Sequence, residues 1–480
     1  MRRWIKTMAL ALFACLLTVL PVRAESYVYS FGGERFIFPA PSLPPYRHSR
    51  SYIASDFGAE DFSKLSGLAV GGGNVFISCG KQLIITDYAF KTQRIVTSVT
   101  EDGEEQELTD LAGIWAADDG RVYVCEPLRG RVLVFDENFE FESAFYKPEG
   151  MVLENVAYRP SKVAVDSVGR LYVVASNVYE GIVEINADGS FSRYFGQVKV
   201  VYTVMDLFWR AIQSAAQRAT SMTWLPVNFS NLTIDGDGFV LATVAGENEE
   251  EPIRKLNAKG TNILRYPKDP DFVPMGDMWI NSFGATVPAG PSILTSIDST
   301  DYGVYFVFDA KRSHVFAYDE DGYLLFVFGG SGAGKGKFQN VSDMRIMGDK
   351  LVFLDKGSLS VEVFEMTEFG RAILAASEHQ HNSDFTAAAG EWEKVIDYNP
   401  HFQYAYTGVG KALYHSGRTA EAEEYFKTGR NVDYFSLAFQ KNRQRFIAGN
   451  FTWIFVGIIA LTAAYAAYKA VRKWKRRERA

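Results

Sequence analysis

Six histidines, His48, His314, His379, His381, His401 and His415, are the first residues in which to look for acid–base or metal chemistry. His379 and His381 stand two apart. On a helix that spacing turns the rings to different faces, so the pair is read as surface rather than as a metal clamp. His314 has no Ser or Asp partner near it in sequence and is read as structural. The glycine run from Gly329 through Gly334 to Lys335 fits a phosphate loop as far as its lysine. Gly336 then stands where a Ser or Thr would hold magnesium. A strand is predicted to follow, so no helix N-terminus faces a phosphate, and nucleotide binding is not assigned. The acidic run 247–251 reads as a solvated loop, and Asn228, Asn231, Asn340 and Asn450 open N-x-Ser/Thr sequons. No Ser/His/Asp set, zinc spacing or carboxylate pair stands out. The sequence therefore assigns no catalytic, cofactor-binding or metal residue.

The elements that would position such residues are short strands in a repeating unit. Around Asp319-Glu-Asp-Gly322, two apolar-alternating runs flank a turn in which glycine supplies a positive φ, which is a β-hairpin signal. Similar units recur at 131–139, 182–189, 253–260 and 361–365, each preceded by another strand. Strand cores aligned on Phe76, Tyr123, Tyr172, Leu241, Tyr305 and Val352 are spaced by 47, 49, 69, 64 and 47 residues. A period of about 40–50 residues built from short strands predicts blades of a β-propeller, here six. The two wide gaps hold insertions, one at about 200–224 with helical apolar spacing and one at about 265–291 rich in Pro and Gly. The early runs Tyr27–Phe31 and Arg35–Phe38 are expected to complete the last blade and close the ring.

The ends differ from the body. Arg2, Arg3 and Lys6 precede an apolar run from Met8 to Leu20, which reads as a signal peptide over 1–24, cut after Ala24. Cys15 lies inside that run and is not read as a lipidation site. At the other end, 447–468 is apolar and long enough to cross a bilayer, and seven Lys/Arg in 469–480 mark a cytoplasmic tail. The chain carries a formal charge of -7. With four basic residues in the leader and seven in the tail set aside, 39 basic and 56 acidic residues remain in the body. Such a body repels phosphate, which argues against a nucleic-acid partner. Beyond the leader, Cys79 and Cys125 stand at matching places in successive repeats; they could pair, or serve as small apolar strand residues.

Two resemblances follow. Phe326-Val-Phe-Gly329 through Gly336-Lys-Phe338, followed by a strand, resembles the inter-blade linker of NHL-repeat propellers, and the Arg131-Val-Leu-Val-Phe-Asp136 hairpin is similar to the same repeats. This covers roughly 50–366, within a propeller of 25–366. Trp392 through Asn399-Pro400, Ala405 through Gly417, and Ala422 with Tyr425 and Phe426 resemble tetratricopeptide (TPR) repeats, in a helical region of 367–446. There Gly408, Ala412 and Ala422 would let helices approach, and Tyr414, Tyr425 and Phe426 would supply bulk.

The combination resembles NHL/TPR membrane proteins of bacteria that accompany carbohydrate ABC transporters. It implies a membrane-anchored extracytoplasmic scaffold whose propeller face binds a protein or a carbohydrate, with no cofactor. Gluconolactonase-like and hydroxyglycine-lyase-like propellers imply an alternative, a metal-dependent lactonase or lyase with a cation at the axis. Glu126, Asp166, Asp235, Asp298, Asp309 and Asp355 would be its strand-associated candidates. Of these, Asp166, Asp235 and Asp298 match the turn aspartate of NHL repeats. A purely structural adaptor is the third reading.

Overall fold

A computed structural model describes residues 26–32, 36–151, 157–197, 229–246, 251–265, 275–277 and 290–477. The leader and most of both insertions lie outside these residues. The chain divides into two compact units, 1–377 and 378–480.

The first unit is a six-bladed propeller. Its blades are residues 65–96, 114–146, 160–195, 229–256, 294–329 and 341–366, each an antiparallel sheet that runs outward in chain order. Buried apolar side chains gather in the seams between successive blades. Val163 and Leu171 of blade 3 meet Cys125 and Val132 of blade 2, and Leu65 and Leu68 of blade 1 meet Val352 and Leu354 of blade 6. The seam between blades 5 and 6 is aromatic. The Phe338 ring lies 5.5 Å from Phe308 and 4.6 Å from Phe353, and that of Phe328 lies 5.9 Å from Phe364. Edge-to-face and tilted pairs of this kind add specificity beyond the area that they bury.

Closure differs from the expectation. The outer strand of blade 6 is Tyr46–Ile53, paired antiparallel from Met366↔Tyr46 to Ser360↔Ile53. The hairpin Tyr27–Gly32 and Phe36–Pro41 instead extends the outer edge of blade 5 through Tyr27↔Val327. Blade 6 thus joins the start of the propeller to its end, and blade 5 has six strands. Blade 4 has three, with only a bridge at Leu256↔Asn262 where a fourth would run.

The predicted hairpin turns are present. Asp319 accepts from the backbone N–H groups of Asp321 and Tyr323, and Gly322 has φ 81°. Asp87, Asp136 and Asn257 do the same in blades 1, 2 and 4. A short side-chain acceptor satisfies the turn's donors and so fixes the register.

The second unit is helical, beginning inside α1 (Glu368–His381) and continuing through α2 (Phe385–Tyr398), α3 (Gln403–His415), α4 (Thr419–Thr428) and α5 (Val432–Arg477). Asp384 caps α2 by accepting from Ala387 N–H. Small residues set the helix spacing as expected. A Cβ on Gly408 would lie 2.4 Å from the Trp392 ring. Gly410, missed in the sequence, does the same for Phe426 at 2.6 Å. Phe426 is buried, whereas Tyr414 and Tyr425 are only half-buried. α5 runs unbroken for 46 residues, so the linking and apolar segments form one helix. Asn442 and Arg445 bind the α4 start through Thr419, and the exposed apolar stretch follows at once. α5 is long and apolar enough to cross a bilayer.

Gly408→Ala should destabilise the helical unit by roughly 1–3 kcal/mol, because Trp392 is 1% exposed and has nowhere to move. This outweighs the gain of about 1 kcal/mol in helix propensity. Gly390→Ala, which meets nothing within 4 Å, should be neutral or stabilising. Thermal unfolding of the two variants, followed by far-UV circular dichroism, checks the contrast.

Candidate functional site

Six innermost strands converge on the propeller axis: Leu65–Gly71, Ile114–Ala116, Pro160–Val165, Phe229–Ile234, Leu294–Ser299 and Val341–Met347. Five of them shift register near their start, at Ser66, Ser161, Ser230, Thr295 and Ser342. Each shift inserts one residue and turns the next side chain inward. Those next residues are Gly67, Lys162, Asn231, Ser296 and Asp343, and Gly113 holds the corresponding place in blade 2.

One carboxylate gathers this ring. Asp343, from blade 6, accepts from Lys162 Nζ of blade 3 at 2.6 Å and from Leu68 N–H of blade 1 at 3.3 Å. Asn231 Nδ2 of blade 4 donates to it at 3.1 Å and Ser296 Oγ of blade 5 at 3.0 Å. Contacts with four other blades are attainable only at the centre. The glycines make the space: a Cβ on Gly113 would lie 2.9 Å from Lys162 Cδ, and one on Gly67 would lie 2.2 Å from Ala112 O. Lys162 crosses this gap with Nζ 3.5 Å from Ser66 O. Asn231 is fully buried here, which closes that sequon to modification.

A second layer lies two residues further along the strands. Arg345 donates to Ile297 O and stands 3.6 Å from Asp343. Asp298 accepts from Thr233 Oγ1 and from Ile346 N–H. The two carboxyls behave oppositely. Burial raises Asp298 above the usual carboxylate range, against the pull of Arg345. Burial also acts to raise Asp343, but Arg345, Lys162 and the donated hydrogen bonds outweigh it and hold the group at about 2. Lys162 is pushed down by burial, against the pull of Asp343.

The six candidate carboxylates do not meet. Glu126 binds Arg131 and the backbone and hydroxyl of Thr109. Asp309 holds Ser292, Ile293 N–H and Lys311 N–H, and Asp355 holds the N–H groups of Gln339, Asn340 and Gly357. These three sit at equivalent ends of second strands and tie down the segment entering their blade. Asp166 and Asp235 are turn aspartates, as expected. Asp298 is not: Thr300 holds its blade's turn, and Asp298 faces the axis. Among the described residues no three of His, Cys, Asp and Glu gather as metal ligands.

The axial donor set does not fit a divalent cation either. Its first layer offers one carboxylate already bound to an ammonium, and Asp298 in the second is taken by Thr233 and Ile346 N–H, whereas calcium takes six to eight oxygens. Lys162 and Asp343 were missed because they are chemically unlike their counterparts. The available signal was a small hydroxyl residue just before each inward position: Ser66-Gly67, Ser161-Lys162, Ser230-Asn231, Thr295-Ser296, Ser342-Asp343.

The histidines take structural places. His48 Nε2 lies 2.7 Å from Glu362. His314 does have partners, from distant parts of the chain: Tyr27 Oη at 3.3 Å and Asp277 at 3.8 Å. His379 lies 3.9 Å from Asp384 on the surface of the helical unit. Cys79 and Cys125 are both buried and free. Cys79 aligns with Glu126 rather than with Cys125, so the two cysteines face different seams and cannot pair.

No protein-family model matches the chain. No curated protein matches it. Among solved structures, virginiamycin B lyase from Staphylococcus aureus is similar with a TM-score of 0.40 at 11% identity, over 66% of this chain and 99% of that one. A protein of unknown function from Bacteroides thetaiotaomicron gives 0.41 at 13%, over 67% and 73%. A putative gluconolactonase gives 0.38 at 14%, over 67% and 98%. No chemistry is carried over from them.

The Asp343 shift sets an acid dependence. A depressed carboxylate contributes stability that is full above its unfolded value, near 4, and is lost as pH falls through about 2. The propeller should therefore lose roughly 2 kcal/mol from this group between pH 4 and 2. Asp343→Asn should start about 3–5 kcal/mol lower, leaving Lys162 unpaired, and lack that part of the slope. Denaturant unfolding at stepped pH measures both. Equal slopes in the two proteins would refute the assignment.

Proposed function

We propose that this chain is a membrane-anchored extracytoplasmic binding module whose propeller presents one face to a protein or glycan partner. The observation that carries this reading is the pairing of the charged groups at the axis. Asp343 and Lys162 neutralise each other at the centre, and the other candidate carboxylates hold backbone, so the polar groups of the channel serve the fold. Recognition then falls to the faces.

One face is better equipped. Strand polarity places the turns between second and third strands, and all inter-blade connections, at the end where Lys162 and Asp343 lie. Ile53, Leu128, Tyr146, Tyr179 and Leu359 are exposed at this end. Both long insertions also leave the blades here, after 197 and after 264. Exposed aromatic and aliphatic tips above a rigid scaffold suit a recognition surface.

The anchor is the apolar part of α5. Over 447–468 it rises about 33 Å, matching the hydrocarbon core. The signal-peptide reading of 1–24 and the basic residues after 468 support a body outside the cytoplasm. The resemblances to NHL and TPR repeats, and through them to proteins accompanying carbohydrate uptake systems, favour a partner in such a complex.

Leu128→Asp combined with Tyr179→Asp should leave the fold intact and lower partner recovery from detergent-solubilised membranes at least tenfold. Tyr88→Asp with Val168→Asp, on the opposite face, should not. Equal recovery with both pairs would exclude this face. A chain ending at Arg445 should leave the membrane fraction; if it stays, α5 is not the anchor.

A further inference from the structure

We infer that the Lys162 ammonium is this propeller's built-in axial cation, required at the point where a carboxylate faces four other blades, and that removing it opens a site for a small exogenous cation. The inference does not depend on the membrane or partner reading.

Three observations carry it. Asp343 is ionised and its carboxylate has no solvent-exposed surface. A charge so placed needs a partner, because an unpaired buried ion is far costlier than a paired one. Lys162 Nζ, 2.6 Å from Oδ2, is the closest such partner, and Arg345 stands further away at 3.6 Å. Second, the strands are built to admit Lys162. Gly67 and Gly113 have no need of glycine for a positive φ, yet any side chain at either would strike the neighbouring inner strand. Gly67 lets the inner strands of blades 1 and 2 approach, and Gly113 leaves room for the Lys162 stem, whose Cδ would lie 2.9 Å from a Cβ there. Third, truncating Lys162 at Cβ would leave a hole whose far end carries oxygen donors, the Asp343 carboxylate and the Ser66 carbonyl. An alkylammonium would find there the same two acceptors that the Lys162 ammonium uses, with Arg345 still 3.6 Å from the carboxylate.

The remaining ring members fit this account. Asn231 and Ser296 donate to the other carboxylate oxygen, Oδ1, so Oδ2 is left for the ammonium and the Leu68 N–H. Asn231 Oδ1 accepts from Leu232 N–H, which fixes the amide orientation.

The test uses the full chain in detergent, with thermal unfolding followed by near-UV circular dichroism. Lys162→Met keeps the volume and removes the charge, and its Tm should fall by roughly 6–12 °C. An unchanged Tm would overturn the inference. Lys162→Ala should fall at least as far. Millimolar n-propylammonium chloride, against sodium chloride at equal ionic strength, should recover several degrees of that loss. If Lys162→Ala does not fold alone, refolding with n-propylammonium should restore the native spectrum. Absence of rescue overturns the inference. So does equal rescue in Lys162→Ala/Asp343→Asn, where the carboxylate is gone, or an equal Tm rise in the unaltered chain.

Discussion

The contact between Lys162 and Asp343 is the constraint around which the propeller is arranged. Six inner strands that meet at an axis bring one residue from each blade to a common centre, where neighbouring strands also touch through backbone, Gly113 N–H donating to Ser161 O. Apolar filling would satisfy volume without fixing how the blades register against one another. Here the ring reads Gly, Gly, Lys, Asn, Ser, Asp in blade order, and each polar member has one set of partners. A buried ion pair of this kind adds little net stability compared with an apolar pair, since desolvation offsets its attraction. Its value lies in the cost of every wrong arrangement: a blade out of place leaves a charge alone in the dark. The Asp343 carboxylate, which collects donors from blades 1, 3, 4 and 5, makes that cost large.

The same logic governs closure. An open sheet edge invites pairing with other chains, and a ring with unlinked ends can come apart at its last seam. Strand Tyr46–Ile53 removes both hazards by pairing with Ser360–Met366, so blade 6 contains residues from both ends of the propeller sequence. His48 and Ser51 on that strand bind Glu362 on its neighbour, adding a polar fastening to the ladder. Tyr46 then stacks on Phe328 of blade 5 and carries the joined strand into the aromatic seam. The earlier hairpin cannot take this part, because Tyr27 is already engaged across blade 5 with Val327 and His314.

Blades and helices could be read from the sequence because both are periodic: hairpins with an Asx-type turn, and apolar residues at helical spacing. What eluded reading is what breaks the period. Phe306, not Tyr305, aligns with Tyr172, since each pairs with the residue two past its axial position, and Asp298 looks like a turn residue while facing the axis. Cys79 and Cys125 look equivalent because each stands near the end of an apolar second strand, and they are not. Closure was misread because Tyr27–Phe31 alternates as cleanly as Tyr46–Ile53, and partner choice depends on contacts hundreds of residues away. The axial ring was invisible for a deeper reason. Its members share a position but no chemistry, and only their convergence gives Lys162 and Asp343 a meaning.

That convergence also bears on what the molecule does. A propeller that works at its axis needs groups there with unsatisfied valence, available to substrate or ion. In this chain the axial carboxylate is held far below neutral pH by two cations and several donors, and the next carboxyl along, Asp298, is fastened by Thr233 and Ile346. The second-strand acids Glu126, Asp309 and Asp355 each hold the entering segment of their own blade. Charge in the propeller's interior is thus engaged in construction. Among the described residues, features without a structural task lie on the outside: hydrophobic tips, more of them on one face than on the other, and an exposed apolar helix at the end of the helical unit. An exposed tip lowers no energy in the isolated chain, and an apolar helix of that length is unfavourable in water. On the function proposed above, both find their favourable state against something else, a partner surface for the first and a bilayer for the second.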